Sequence, residues 1–361
     1  MGNNYYVDFH VLQTVPPSCV NRDDTNSPKT AYYGGTLRSR VSSQAWKHAM
    51  RKYFNEIFPE EMKGYRTKKL PAMISEYIVK EHGLSEAEAD KAAEDVLKAC
   101  DMKGDDKKDD DKKDVLFFIS AAQIRNIADL AVKLENDTEK DKKHEKELII
   151  SALQQNPSID QALFGRMSAS NPELNYDASA QVAHSISTHT ITNEFDYFTA
   201  VDDCADEDNA GAAHIGTVEF NSSTLYRYAN INVNELSGYL SDKEQTAQAV
   251  KGFAEAFIKS MPTGHENSFA NRTIPCLVYV TVRTDQPVNL CGAFEKPVYA
   301  GDDGYEQKSV RALREYSERV YQDFVPKPDT AFVVGYDWDA DTKRVSTDEL
   351  LSELYQTVME R

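Results

Sequence analysis

Residues 38–54, RSRVSSQAWKHAMRKYF, decide how the rest of the chain is read. At about 100° per residue, a helix opening near Ser42 sets Ala45, Trp46, Ala49, Met50 and Tyr53 on one arc. Gln44, Lys47, His48 and Arg51 fall on the opposite arc. One face therefore packs on a core, and the other is a row of hydrogen-bond donors. Arg38 and Arg40 stand just before the helix, and Ser42 and Ser43 suit its N-cap. Backbone N–H groups at a helix start, flanked by arginines, make a site for phosphate. A solvated basic face on an ordinary surface helix carries the same pattern, and the helix alone does not separate the two.

Outward from this stretch, residues 5–12 alternate and are rich in β-formers, which predicts a strand. Pro16, Pro17, Asn21, Asp23, Asp24, Asn26 and Pro28 then break the chain into a long loop. It carries Arg22 and Lys29 and ends at Gly34 and Gly35; a loop of that length inside a globular unit is usually functional. Helical spacing follows at 72–81, at 85–100 with Ser85 as N-cap, at 121–134 and at 144–155. Residues 60–160 thus read as a helical insertion. Within it, DMKGDDKKDDDKKD at 101–114 holds nothing that can be buried and reads as a flexible loop tip. Residues 182–189 read as a short helical piece, and 194–208 are aromatic, then strongly acidic. Two β-like runs, 216–220 and 225–232, are joined by Asn221, Ser222 and Ser223, a hairpin signal. A helix at 244–261, a strand at 276–282, a helix at 311–324, a strand at 331–336 and a helix at 347–360 complete the chain. With the insertion removed, the order is βαββαβ. That is an α+β fold in the ferredoxin-like order of RNA-recognition domains, an order many unrelated proteins share.

The 361 residues carry a formal charge of −18. Such a field repels a phosphate backbone and argues against general nucleic-acid affinity. The charge is uneven, however: between Arg22 and Lys69 there are eleven Lys and Arg against five Asp and Glu. A basic island on an acidic protein marks where a polyanion could sit. The five cysteines, Cys19, Cys100, Cys204, Cys276 and Cys291, are widely spaced, with no CxxC and no Cys/His cluster. The N-terminus reads as a strand rather than a signal peptide, and Tyr6 stands where a myristoylation signal expects Ser or Thr. No apolar run reaches the roughly 18–20 residues needed to span a bilayer, so a cytoplasmic protein with no membrane partner is expected.

Several stretches together resemble one family. They are PSC at 17–19, NRDD at 21–24, GG at 34–35, RVSSQ at 40–44, Lys47, AMRK at 49–52, ALFGRM at 162–167, FTAVDD at 198–203, HIGT at 214–217, YRYANIN at 226–232 and, more weakly, AFEK at 293–296. In order and spacing the chain is similar to the CasC family, the backbone subunit of the type I-E CRISPR Cascade complex. The resemblance implies a modified ferredoxin-like palm, helical fingers and a protruding β-hairpin thumb. It places the palm at 1–59 and 221–361, the fingers at 60–160, a palm or web segment at 161–192 and the thumb at 193–220. It further implies a non-catalytic subunit without cofactor or metal. Its partners would be a guide RNA (crRNA), further copies of itself stacked head to tail, other Cascade subunits, and target DNA paired through the RNA. A contact repeated head to tail in this way builds an open helical filament.

A protein that must carry any guide sequence should hold phosphate and sugar rather than base edges. Arg22, Lys29, Arg38, Arg40, Ser42, Gln44, Lys47 and Arg51 are the donors of the basic island and the expected RNA contacts. Tyr197, Phe198, Thr199 and Val201 match the thumb, where bulky groups wedge between bases at a cost of a few kcal/mol per step. On their residues alone, packing of Tyr197 and Phe198 on the chain's own sheet is the favoured reading. Met167 could support a displaced base or fill a core. His184, His189 and His214, with Asp202 and Asp203, invite a rival reading as a metal-dependent RNA-processing nuclease, but none has a recognised ligand spacing. A protein-only scaffold that docks acidic partners on the basic island is a second rival. No P-loop, G-x-S-x-G or G-x-G-x-x-G is present.

Overall fold

The first strand starts where the alternation predicts and runs half as long again, Tyr6–Ser18. Pro16 and Pro17 do not end it. They sit where the pairing with strand His214–Asn232 shifts register between Val15 and Ser18, at a bulge that needs no N–H from them. The structure, a computed structural model, describes residues 4–100, 116–135, 141–168, 171–200, 214–240 and 242–361. The acidic run at 101–114 and the stretch 201–213, with Val201, Asp202 and Asp203, lie outside the described residues.

The chain divides into two units. The first, residues 1–53, 181–232 and 253–361, is built on one sheet. Across it the strands run Lys343–Arg344, Thr330–Val334, Leu277–Arg283, Tyr6–Ser18, His214–Asn232, Ser185–Ser187, Thr36–Val41 and Thr30–Tyr33. Strand Tyr6–Ser18 is antiparallel to both its neighbours. Its side chains alternate between two covered faces. Leu12 joins Tyr226, Tyr228, Leu277 and Tyr279 beneath Val310 and Leu313 of helix Glu306–Asp323. Phe9 packs the other way, on Phe253 and Phe257 of helix Lys243–Lys259, with ring centroids 5.5 and 6.1 Å apart. Burying each such ring contributes about 1.5–3 kcal/mol. Helices on both faces of a mixed sheet make this an α+β unit.

Two expectations give way here. The runs at 216–220 and 225–232 are not a hairpin but one strand, His214–Asn232, that passes straight through Asn221, Ser222 and Ser223. The polar trio stays extended because Asn221 and Ser223 pair with Ser18 and Val15 of the first strand. Residues 182–189 are not helical. Ala180–Val182 and Ser185–Ser187 are short strands on the same sheet, and Gly34 and Gly35, at φ +58° and +75°, turn a two-residue hairpin rather than close a loop.

The second unit, residues 54–180 and 233–252, has its own core. Helices Leu70–His82, Glu86–Ala99, Ala121–Glu135 and Lys142–Gln154 bury Leu70, Ile74, Ala92, Ile127, Ala128 and Ile149 together. Ser85 caps the second of these with a full capping box to Glu88. A short antiparallel pair, Gly64–Thr67 with Phe117–Ser120, completes the unit.

Candidate nucleic-acid interface

Helix Ser43–Ile57 forms as its periodicity requires. Trp46 and Met50 are wholly buried, Ala49 and Phe54 nearly so, while Gln44 and His48 are exposed and Lys47 and Arg51 half-buried. Ser42 is the cap: its hydroxyl accepts the Ala45 N–H at 3.3 Å, and its own N–H reaches Asn21 Oδ1 at 2.9 Å. By helix geometry the N–H groups of Ser43 and Gln44 have no intrahelical acceptor.

What holds this helix is a buried cation the sequence reading assigned no role. Arg227, on strand His214–Asn232, lies with its guanidinium 3.8 Å from the Trp46 ring centroid and 4.5 Å from that of Phe257. It donates to Gln13 Oε1 at 2.6 Å and to the Phe257 carbonyl. Trp46 Nε1 donates to Ser185 Oγ at 3.0 Å. No carboxylate pairs with Arg227 in these contacts, and burial pushes its pKa down to about 9. Two aromatic faces hold this cation in place of a counter-ion. The outer donors of the helix are thus carried on a rigid support.

The loop before the helix is ordered by one aspartate. Asp23 Oδ1 accepts from the Thr25 hydroxyl at 2.7 Å, the Thr25 N–H at 2.9 Å and the Ser27 N–H at 3.0 Å, and these bonds hold its pKa below the usual range. Arg22, exposed, is fastened to Asn26 Oδ1, and Lys29 donates its N–H to the Asn21 carbonyl at 2.8 Å. This loop therefore presents Arg22 and Lys29 from a fixed frame.

Arg38 is corrected. It is fully buried, 0 % exposed. Its guanidinium donates to the carbonyls of Ser187 and Phe294, both at 2.9 Å, of Glu295 and Tyr33, both at 3.3 Å, and to Thr36 Oγ1 at 2.9 Å. Every donor nitrogen is used and none meets solvent, so Arg38 is a staple between the hairpin and segment 294–295 rather than a phosphate contact. Gly34 makes the same junction: a Cβ there would lie 1.6 Å from the Glu295 carbonyl oxygen. Arg40, two residues on, stays partly exposed. Its Nε donates to the Thr30 carbonyl at 3.1 Å and its Nη1 stands 3.1 Å from His184 Nδ1. Ser42 is 5 % exposed and occupied as a cap.

Among the described residues, strand Glu194–Ala200 pairs only with the first part of His214–Asn232, Glu194 opposite Phe220 through Ala200 opposite His214. The result is a two-stranded ribbon at the side of the main ladder. Tyr197 is 63 % exposed, Phe198 41 % and Thr199 exposed. Tyr197 is largely open to solvent, whereas the Phe198 ring packs in part on the chain's own sheet: it lies over Gly216, where a Cβ would come within 2.3 Å. Met167 belongs to the second unit and is 91 % exposed, so it fills no core there.

His184 and His189 have other partners, and the side chain of His214 lies outside the described residues. His189 is buried: its Nε2 accepts from the Thr224 N–H at 3.1 Å, its Nδ1 bonds the Thr190 carbonyl at 2.9 Å, and its ring stacks on Tyr305 at 3.6 Å. His184 faces Arg40. Among the described residues no group of three or more His, Cys, Asp or Glu could hold a metal ion, and no helix is long and apolar enough to cross a membrane.

The family described as CT1975-like protein matches residues 7–357. A solved chain titled "CRISPR RNA-guided surveillance complex, pre-nicking" is 32% identical, with a TM-score of 0.82, over 98% of this chain and 100% of that one. A second, "CRISPR RNA-guided surveillance complex", is 27% identical with a TM-score of 0.69, over 96% and 99%. No curated protein matches.

Proposed function

The chain belongs to the CT1975-like protein family, and on that premise we propose that it is the RNA-binding backbone subunit of a CRISPR surveillance complex. It lines a guide RNA with successive copies of itself and holds it open for pairing with target DNA. The observation that carries this reading is the helix Ser43–Ile57, whose Gln44, Lys47 and Arg51 face stands on the Trp46–Arg227 stack, with Arg22, Lys29 and Arg40 on neighbouring segments of the same unit. All are phosphate or 2′-hydroxyl donors, and none needs a particular base. The resemblance to CasC-type backbone subunits and the likeness to surveillance-complex chains agree with it.

In this reading strands Leu277–Arg283, Tyr6–Ser18, His214–Asn232 and Ser185–Ser187 are the palm. Numbered in chain order, the fourth lies beside the first, the first beside the third and the third beside the second, as in ferredoxin-like RNA-recognition folds. The helices of residues 60–160 are the fingers and the ribbon the thumb. Tyr197, Phe198 and Thr199, and Val201 beyond them, wedge between bases; Met167 supports a displaced base. The subunit is not itself a nuclease. Ser42 acts through the helix start it caps, and Arg38 through the hairpin it staples.

The test is charge reversal on the helix. Lys47→Glu with Arg51→Glu should abolish retention of small RNAs of uniform length in the purified complex, with the circular dichroism spectrum unchanged. Undiminished RNA in that double variant overturns the reading.

A further inference from the structure

His184 takes no part in the reading above, yet it stands at the same edge. The ladder between Thr36–Val41 and Ser185–Ser187 pairs Arg40 with Ile186 and Val41 with Ser185. One step further in that register sets His184 opposite Ser42, the cap of the basic helix. The side chain is exposed, and Arg40 Nη1 lies 3.1 Å from its Nδ1. A guanidinium only donates, so Nδ1 accepts, and the neutral ring carries its hydrogen on Nε2. The bond from Arg40 Nε to the Thr30 carbonyl fixes the guanidinium from the hairpin side. Among the described residues, the charged groups that face the ring are Arg40, from the strand, and Lys29, from the loop before the hairpin. Partial burial first, then these two cations, hold the imidazole below its ordinary pKa.

We propose that His184 is a phosphate contact of the bound RNA, and that the RNA is gripped with uptake of one proton at this ring. The inference rests on the RNA-binding reading of the same edge. A phosphate seated at Arg40 and Lys29 draws the Arg40 donor to its own oxygens and releases Nδ1. Its negative charge offsets the two cations that keep the ring neutral. Nδ1 then takes a proton from solvent, and the imidazolium donates to the phosphate. The complex binds more protons than the free chain, so affinity rises as pH falls through the neutral range.

Binding of a short single-stranded RNA to the full chain is measured at pH 8 and pH 6 at one salt concentration. Wild type should bind about five- to tenfold more tightly at pH 6. His184→Gln, on an exposed site, should lose all but about twofold of that change. His184→Lys, a permanent cation, should bind tightly at both. Other histidines, such as His48, act alike in wild type and variant and cancel in the comparison. An equal pH dependence in wild type and His184→Gln overturns the inference and leaves RNA binding standing. Absence of RNA binding by wild type at both pH values overturns the RNA-binding reading, and this inference with it.

Discussion

Arg38 and Arg40 are alike in the sequence and lie on the same side of one strand, since strand side chains repeat every two residues. Their fates differ because segment 294–295 covers one and not the other. Arg38→Ala leaves the buried carbonyls of Ser187 and Phe294 without donors and should cost about 3 kcal/mol. Arg40→Ala should change stability by no more than about 0.5 kcal/mol while weakening RNA binding. Both are read by urea unfolding followed through Trp46 and Trp338, the two tryptophans, which lie in the same unit. Equal costs would contradict the assignment. Asp8 offers a pH test. It is buried, accepts from the Tyr228 hydroxyl at 2.8 Å and the Val288 N–H at 3.0 Å, and burial raises its pKa to about 7. Its unfolded value is near 3.9. Between these values the folded chain holds a proton that the unfolded chain has lost. Stability therefore falls as pH rises from about 4 to 7, by on the order of a few kcal/mol. Asp8→Asn should flatten that slope in unfolding curves taken at pH 5, 6, 7 and 8.

At the scale of elements, the basic helix and the ribbon are supported in opposite ways. The helix leans on a buried cation between two rings, so Trp46→Ala should cost about 3–5 kcal/mol and release the donor face. Tyr197 on the ribbon is 63 % exposed, and Tyr197→Ala should shift stability by less than about 0.5 kcal/mol. Its effect should appear instead in chemical footprints of the bound RNA, as lost reactivity at the bases that a thumb unstacks. A footprint identical to wild type would remove Tyr197 from the contact. The strand His214–Asn232 shows why its reading from sequence failed. Asn, Ser, Ser is a turn signal in isolation, but the first strand's bulge supplies partners that keep it extended. Local chemistry proposed a turn, and long-range pairing overrode it.

For the whole molecule, a charge of −18 requires that RNA be held locally against a repelling field. If Arg22, Lys29, Arg40, Lys47 and Arg51 each neutralise one phosphate, log K should fall with log salt at a slope of about −3.5, from about −0.7 per contact on single strands. Titrations between 50 and 200 mM salt measure it, and Lys47→Gln should reduce the slope by about 0.7. A slope near zero would mean that the basic island does not touch the backbone.

By itself the sequence determined the α+β class, the basic helix with its buried and outer faces, and the family. These follow from short-range periodicity, capping residues and the order of motifs, all of which are written along the chain. Tertiary structure alone decided that Arg38 is a staple, that Arg227 carries the helix, that 214–232 is a single strand and that His184 shares an edge with Arg40. Each depends on what covers or pairs with a residue more than a hundred positions away. Burial and partners of that kind are properties of the packed molecule, and no local pattern encodes them.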